Sequence, residues 1–187
     1  DLARGDLAWL GACACGRPAR GTSGPALRDA RHGPGTQDTL LTWATRHGQA
    51  EAVRLLLEGG ASVGATTGGG ASALLVASDK GHLECARLLL EAGAATDQAM
   101  NDGTTPLSAA SLAGEIGCVR LLLEAGAAVN QADAEGRTPL YVACQEGQLE
   151  CVRQLLEASA TVNQASQDGA TPLFVACYKG HLEIARL

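Results

Sequence analysis

The sequence is poor in aromatic residues, in long apolar runs and in positive charge. Aromatic residues make up only 3% of the 187-residue chain against 46% for hydrophobic residues, so we expect a core of small and aliphatic side chains between closely packed helices. No apolar run approaches the ~20 residues of a membrane-spanning helix, and a disordered protein would be less apolar. The 14 Lys and Arg residues against 20 Asp and Glu give a net charge of -6. This charge disfavours nucleic acid as a partner, because phosphate backbones are bound by positive charge.

What the chain does contain is an internal repeat of 33 residues. Four residue types recur at this interval in a common register. They are Leu41, Leu74, Leu107, Leu140 and Leu173; Ala44, Ala77, Ala110, Ala143 and Ala176; Gly48, Gly81, Gly114, Gly147 and Gly180; and Arg54, Arg87, Arg120, Arg153 and Arg186. Chance does not place several residue types in phase, so the chain is an array of similar units.

Each unit predicts two short helices separated by a glycine. In the third unit, Thr105 supplies an N-cap hydroxyl and Pro106 suits the first helical position. Gly114 ends this helix after about eight residues, and the second helix, with leucines at 121–123, ends at Gly126, where a positive φ suits glycine. Such short helices are marginal alone in water. Stacking of each unit on its neighbours must therefore supply the stability.

Three motifs of the unit are characteristic. They are Gly103-Thr104-Thr105-Pro106-Leu107, Gly180-His181-Leu182-Glu183 and Leu121-Leu122-Leu123-Glu124-Ala125-Gly126-Ala127. Together they resemble the ankyrin repeat, over about residues 35–187. The resemblance implies an all-α solenoid of stacked helix-turn-helix repeats with β-turn or hairpin loops. Four full repeats are expected at about 35–67, 68–100, 101–133 and 134–166, with a truncated fifth at 167–187.

The chain departs from the resemblance at several positions. The slot after the Thr-Pro-Leu motif, commonly a histidine that ties neighbouring turns together in the family, holds Ser108, Tyr141 and Phe174 in the last three units, so that ladder of hydrogen bonds is not carried over. Ser159 replaces a capping glycine, at a cost of about 1 kcal/mol if it is left-handed. Gly117 replaces a glutamate, and a glycine within a helix costs about as much.

Residues 1–34 do not follow the period. They contain Cys13, Cys15 and five arginines, and we expect a poorly ordered segment, with a degenerate extra repeat around Leu7 to Leu10 as the alternative. The first residue is Asp1, and Leu187 falls within an apolar pattern, which is typical of a fragment. The absence of a signal peptide therefore carries no weight.

The seven cysteines do not show the spacing of a metal site. Within the array they recur a whole repeat apart, whereas zinc ligands typically lie about two to four residues apart. We interpret them as small apolar packing residues, and unpaired thiols favour a reducing compartment, the cytoplasm or nucleus. Cys13-Ala14-Cys15 leaves a weaker alternative, a thiol-based sensor.

The histidines and glycines likewise give no catalytic signature. His82 and His181 share a slot after the glycine between the helices, where we expect a polar side chain to help start the second helix. The glycines at 68–70 are not followed by the Lys and Ser or Thr of a phosphate-binding loop. We expect no catalytic residue, cofactor, metal site or small-molecule substrate.

Candidate binding residues are those that vary while the scaffold residues stay fixed. An array of this type has a continuous concave surface, made by the turns and the exposed side of the first helices, and the resemblance implies that this surface binds another protein. Three of the five aromatic residues fall on the first helices of the last two repeats, and aromatics are common at binding hot spots. The candidates are Asp102, Thr104, Leu112, Glu135, Arg137, Tyr141, Gln145, Glu146, Phe174, Tyr178 and Lys179.

Two functional hypotheses follow. The preferred one is a non-catalytic module that binds a partner protein or peptide on the concave surface. The alternative is a regulatory or targeting segment of a larger enzyme whose catalytic domain lies outside this chain. For Tyr141 and Phe174, two interpretations remain open: contact with a partner, or filling of the seam between repeats. Tyr178 is expected to be the more exposed.

Overall fold

The computed structural model describes residues 39–187, which form five successive pairs of helices. The first helices of the pairs are α1 (Leu40–Arg46), α3 (Ala73–Asp79), α5 (Pro106–Ala113), α7 (Pro139–Glu146) and α9 (Pro172–Lys179). The second helices are α2 (Ala50–Glu58), α4 (Leu83–Glu91), α6 (Ile116–Glu124), α8 (Leu149–Glu157) and α10 (Leu182–Ala185). Each first helix packs on the first helix of the next pair, and each second helix on the next second helix. This is the predicted all-α solenoid; the expectations for residues 1–34 and for Cys13 and Cys15 lie outside the described residues.

The first helices begin where the sequence predicts, because a hydroxyl caps each one. The capping oxygen accepts a hydrogen bond from the backbone N–H three residues later, at 3.1–3.2 Å in every repeat. The caps are Thr39, Ser72, Thr105, Thr138 and Thr171. A cap of this kind stabilises a helix by about 1 kcal/mol. The first two repeats lack the Thr-Pro pair but retain the hydroxyl cap, so their first helices begin at the equivalent position.

The helix ends also follow the sequence, with one correction. Gly114 and Gly126 have φ of 78° and 81°, and Ser159 is left-handed as well, with φ of 65°. Ser159 therefore carries the backbone strain that the sequence predicts. Gly117 is not in the middle of a helix as expected: α6 begins at Ile116, so Gly117 lies in the first turn. Its cost is smaller there than in a helix interior, because helix ends fray.

The core is a continuous layer of aliphatic side chains between the helices. The largest fully buried leucines recur at two slots of the repeat; they are Leu41, Leu74 and Leu107, and Leu89, Leu122 and Leu155. Each contributes roughly 1.5–3 kcal/mol relative to exposure. The alanine repeated in each first helix, such as Ala110, is completely buried. Its small side chain allows neighbouring helices to approach closely.

Backbone hydrogen bonds join the turns between repeats into a ladder. Each turn closes on itself, as where Asp133 N–H donates to the carbonyl of Arg137 at 3.0 Å. Neighbouring turns are then linked by bonds from the amides of residues 101, 134 and 167 to the carbonyls of residues 69, 102 and 135, at 3.1, 2.8 and 2.8 Å. A Cβ on Gly103, which has φ of 83°, would lie 2.9 Å from the backbone of the next turn. The ladder therefore needs no histidine, but it does need glycine at this position.

A second set of contacts corrects the expected role of the histidines. His82 and His181 precede the second helices but make no capping hydrogen bond. Their Nε2 atoms instead lie 3.2 and 3.1 Å from the carbonyl oxygens of Arg46 and Gln145 in the preceding repeat. Gln148 makes an equivalent, longer contact. The side chain in this slot therefore ties one repeat to the next and does not cap the second helix.

Candidate functional site

The varying residues lie on the surface where turns and first helices meet. We call this the turn–helix surface; it is formed by the turns at residues 100–104, 133–137 and 166–170 and by the exposed side of α5, α7 and α9. The backbone ladder fixes the spacing of its turns, and the Thr caps fix where each first helix begins. Side chains at equivalent slots therefore follow one another at regular intervals along the array.

The structure brings four of the predicted residues together in one pocket. The pocket has a volume of about 260 Å³ and lies between the last two turns and α7. Its predicted members are Glu135, Arg137, Tyr141 and Gln145. Three further lining residues, Ser166, Gln167 and Asp168, were not among the predicted site residues. Their slots do vary between repeats, and this variation is the signal that could have identified them.

Arg137 is held in place by two carboxylates at the pocket. Its Nε donates to the almost fully buried carboxylate of Asp133 at 2.8 Å, and its Nη1 lies 3.0 Å from Glu135. Partial burial acts in the opposite direction, but the hydrogen bond and charge of Asp133, with the charge of Glu135, raise the pKa of Arg137. Asp133 also accepts the backbone N–H groups of Glu135 and Arg137, both at 2.9 Å. The guanidinium is therefore already neutralised from within the protein.

Local hydrogen bonds lower the pKa of two acidic turn residues, Asp168 and Asp102. The hydroxyl of Ser166 and then the backbone N–H of Ala170 lower the pKa of Asp168. The backbone N–H of Thr104, 2.9 Å from the carboxylate, lowers the pKa of Asp102. Asp102, Glu135 and Asp168 occupy the same slot in successive turns, and all three are exposed. The turns thus present a row of negative charge.

Tyr141 is buried, which favours the seam-filling interpretation of the two that the sequence leaves open. Only 7% of it is exposed, because its ring fills the seam between α7 and its neighbours, the second of the two interpretations given above. It nevertheless lines the pocket. Its backbone N–H donates to Thr138, but within residues 39–187 its hydroxyl has no hydrogen-bond partner. Of this side chain, the hydroxyl is what remains for a ligand.

Phe174 and Tyr178 form an exposed aromatic pair on α9. Their rings stack with centroids 6.2 Å apart and planes inclined by 10°. Phe174 is 60% exposed and Tyr178 77%, so Tyr178 is the more exposed of the two, as expected. Phe174 occupies the slot that is buried at Tyr141, and no described first helix follows α9 to cover it. Phe174 lies one repeat after Tyr141, and Tyr178 one repeat after Gln145.

The other predicted residues surround these two features. Leu112, Glu146 and Lys179 are exposed on the first helices, and Thr104 is half-buried in its turn. Glu146 accepts a hydrogen bond from the Gln145 amide at 2.8 Å. The structure therefore assembles the candidates into one surface without drawing them all into one pocket.

Comparison with protein families identifies this architecture. The family model for ankyrin repeats matches the chain in three overlapping copies, at residues 41–133, 92–165 and 126–187. The chain belongs to the ankyrin repeat family. No individual curated protein matches it at a significant level. Ankyrin repeats are generally protein–protein interaction modules, and ankyrin repeat domains are typically non-catalytic.

The cysteines of the ankyrin repeat array are packing residues with one exception. Burial is the main cause that raises the pKa of Cys144 to about 12 and those of Cys118 and Cys151 to about 11. Such thiols are unreactive near neutral pH, because the thiolate is the nucleophile. Cys85 is buried too, whereas Cys177 on α9 is exposed.

Across residues 39–187, no group of three or more Cys, His, Asp or Glu side chains is placed to hold a metal ion. In the same described part of the chain, no helix is long and apolar enough to cross a membrane.

Proposed function

We propose that this ankyrin repeat array binds another protein, as a folded surface or a peptide, on its turn–helix surface, and that it catalyses no reaction. The observation that carries the proposal is the polar pocket that the varying residues Glu135, Arg137 and Gln145 line on this surface, one repeat before the stacked rings of Phe174 and Tyr178. Large rings with polar neighbours are enriched where binding energy is concentrated. The net charge of -6 favours a protein over a nucleic acid as the partner.

The second helices offer a weaker candidate surface. The arginines of α2, α4 and α8 pair with a glutamate of their own helix, as in Glu84 with Arg87 and Glu150 with Arg153, both at 3.6 Å. In α6, Arg120 donates to Gln154 of α8 at 3.1 Å. Exposed pairs of this kind contribute only about 0.2–0.5 kcal/mol and are already satisfied. They form a solvated face, which is why we assign binding to the turn–helix surface.

We also place the protein in a reducing compartment, the cytoplasm or nucleus. The five cysteines of residues 39–187 are free thiols, and free thiols persist in reducing compartments. The alternative, a regulatory segment of a larger enzyme, depends on residues outside this chain and is not proposed.

Affinity capture with paired variants tests the proposal. The full 187-residue chain, its Tyr178→Ala/Lys179→Ala variant and an Arg87→Ala/Glu91→Ala control on the second helix α4 are immobilised, and captured proteins are quantified by mass spectrometry. We expect a set of proteins that the unmodified chain and the control both capture and that the Tyr178/Lys179 variant does not. A captured set that is lost only in the control would place binding on the second helices and contradict the proposal.

A further inference from the structure

The pocket beside the aromatic pair has the chemistry of a receptor for a positively charged side chain. Two carboxylates line it, those of Glu135 and Asp168, together with the positive charge of Arg137. A third carboxylate, that of Asp133, is almost fully buried against Arg137, and Glu135 also pairs with it. Because Asp133 and Glu135 already engage Arg137, an anionic ligand would have to displace them. A cation meets no such competition at Asp168, whose only side-chain partner within residues 39–187 is the Ser166 hydroxyl.

The uncharged groups of the pocket also favour a donor-rich ligand. The Tyr141 hydroxyl belongs to a side chain more than nine-tenths buried, lines the pocket and has no hydrogen-bond partner within residues 39–187. Gln145 uses its amide nitrogen on Glu146, which leaves its amide oxygen as an acceptor. Lysine has three N–H donors and arginine five, and neither has an acceptor. Either side chain can therefore donate to the Tyr141 hydroxyl and to the Gln145 amide oxygen.

The aromatic pair determines which kind of ligand side chain fits beside the positively charged one. Phe174 and Tyr178 occupy, on α9, the slots that Tyr141 and Gln145 occupy on α7, so the pair adjoins the pocket along the array. The following residue, Lys179, is positively charged and exposed. This charge disfavours a second basic residue at the pair, where stacked ring faces offer apolar contact instead.

We propose that the turn–helix surface binds a basic peptide segment, with a Lys or Arg side chain in the pocket and a neighbouring apolar side chain against Phe174 and Tyr178. The inference rests on the proposed function and adds the chemical class of the partner. Charge complementarity of this kind sets specificity and the rate of association more than it sets raw affinity.

Selection from a random dodecapeptide library, displayed on phage and panned on the immobilised 187-residue chain, tests the inference. We expect the selected peptides to share a Lys or Arg with an apolar residue a few positions away. In fluorescence polarisation with a synthetic selected peptide, replacing its basic residue by Gln should weaken binding about tenfold.

Variants of the chain test the pocket itself. Glu135→Gln/Asp168→Asn should weaken the peptide about tenfold, and Tyr141→Phe, which removes only the hydroxyl, about threefold. Glu84→Gln/Glu150→Gln is the matched control, because it also removes two negative charges, but from the second helices. It should change the affinity for the peptide less than twofold.

The remaining outcomes separate the two proposals. Selection of acidic or uncharged peptides, selection of no peptide, or equal weakening by pocket and control variants would overturn the basic-peptide inference. Selection of uncharged peptides that no longer bind the Phe174→Ala/Tyr178→Ala variant would overturn the basic-peptide inference and leave the proposed function standing. Peptides insensitive to every substitution on the turn–helix surface would contradict both.

Discussion

Helices α7 and α9 have closely similar sequences, PLYVACQE and PLFVACYK, and the same Thr cap, yet they differ sharply in exposure. Leu140 is 2% exposed on α7, whereas the equivalent Leu173 is 54% exposed on α9. Tyr141 and Phe174 differ in the same way, as do Cys144 and Cys177. The helix α7 has a described neighbour on each side, and α9 packs on α7 alone among the first helices. Burial in this array is thus set by the neighbouring repeats and not by the repeat's own sequence.

The largest expected effect is on thiol reactivity at the equivalent Cys144 and Cys177. Burial keeps Cys144 protonated and shielded, since its pKa is raised to about 12, whereas Cys177 is exposed. At pH 8 iodoacetamide should label Cys177 much faster than Cys144, because the thiolate is the nucleophile and burial disfavours it at Cys144. Site-resolved tandem mass spectrometry measures the two rates, and in urea the difference should disappear. Similar rates in the folded protein would break the comparison.

The next largest effect is on stability at the equivalent leucines. Leu140→Ala should lower the free energy of unfolding by about 2–5 kcal/mol, because it leaves a cavity in the core. Leu173→Ala should lower it by less than about 1 kcal/mol, since the side chain is already half in solvent. Urea titration followed by circular dichroism gives both values. An equal loss would show that exposure does not govern these sites.

A smaller effect is expected at the C-terminal caps of the second helices, α6 and α8. Ser159→Gly should raise the free energy of unfolding by about 1 kcal/mol, because Ser159 is held left-handed. Gly126→Ser is the reciprocal change. A side chain there would meet no atom within 4 Å, so this variant should have a free energy of unfolding lower by a similar amount, through backbone strain alone. The same urea titration applies. No gain from Ser159→Gly would mean that the serine side chain compensates for the strain.

The smallest effect is expected at the aromatic pair. Tyr178→Ala should change the free energy of unfolding by less than about 0.5 kcal/mol, as substitutions at exposed positions usually do, and the melting temperature should fall by no more than a degree or two. Tyr141→Ala should cost about 3 kcal/mol or more, because its ring is packed. Thermal unfolding of the two variants in parallel makes the test. A large loss for Tyr178→Ala would place that ring in the core.

Local features of this fold could be predicted from the sequence because each depends on neighbouring residues in the chain. Thr105 caps α5, Gly114 ends it in the left-handed region, and Ser159 keeps the strained conformation of the glycine it replaces. The 33-residue period then implies that these elements stack. The solenoid therefore follows from residues that are near one another in the sequence.

The site was less predictable because it is formed between repeats. Ser166 and Asp168 come from one turn and Tyr141 from the preceding repeat, and only the stacking distance decides that they line one pocket. Tyr141 and Phe174 occupy the same slot of the repeat, so the sequence alone could not show that the first is buried and the second exposed. The bond from His82 to the Arg46 carbonyl likewise joins groups 36 residues apart. The residues next to His82 in the sequence therefore do not specify this bond.

Hydrogen–deuterium exchange read by mass spectrometry tests the central claim most directly, because it compares α7 with α9 in the unmodified chain. Buried, doubly packed elements open less often than elements packed on one side. We predict that amides of residues 142–146 exchange much more slowly than the equivalent amides of residues 175–179. Equal protection of the two helices, or slower exchange in α9, would contradict the account that neighbouring repeats stabilise this array.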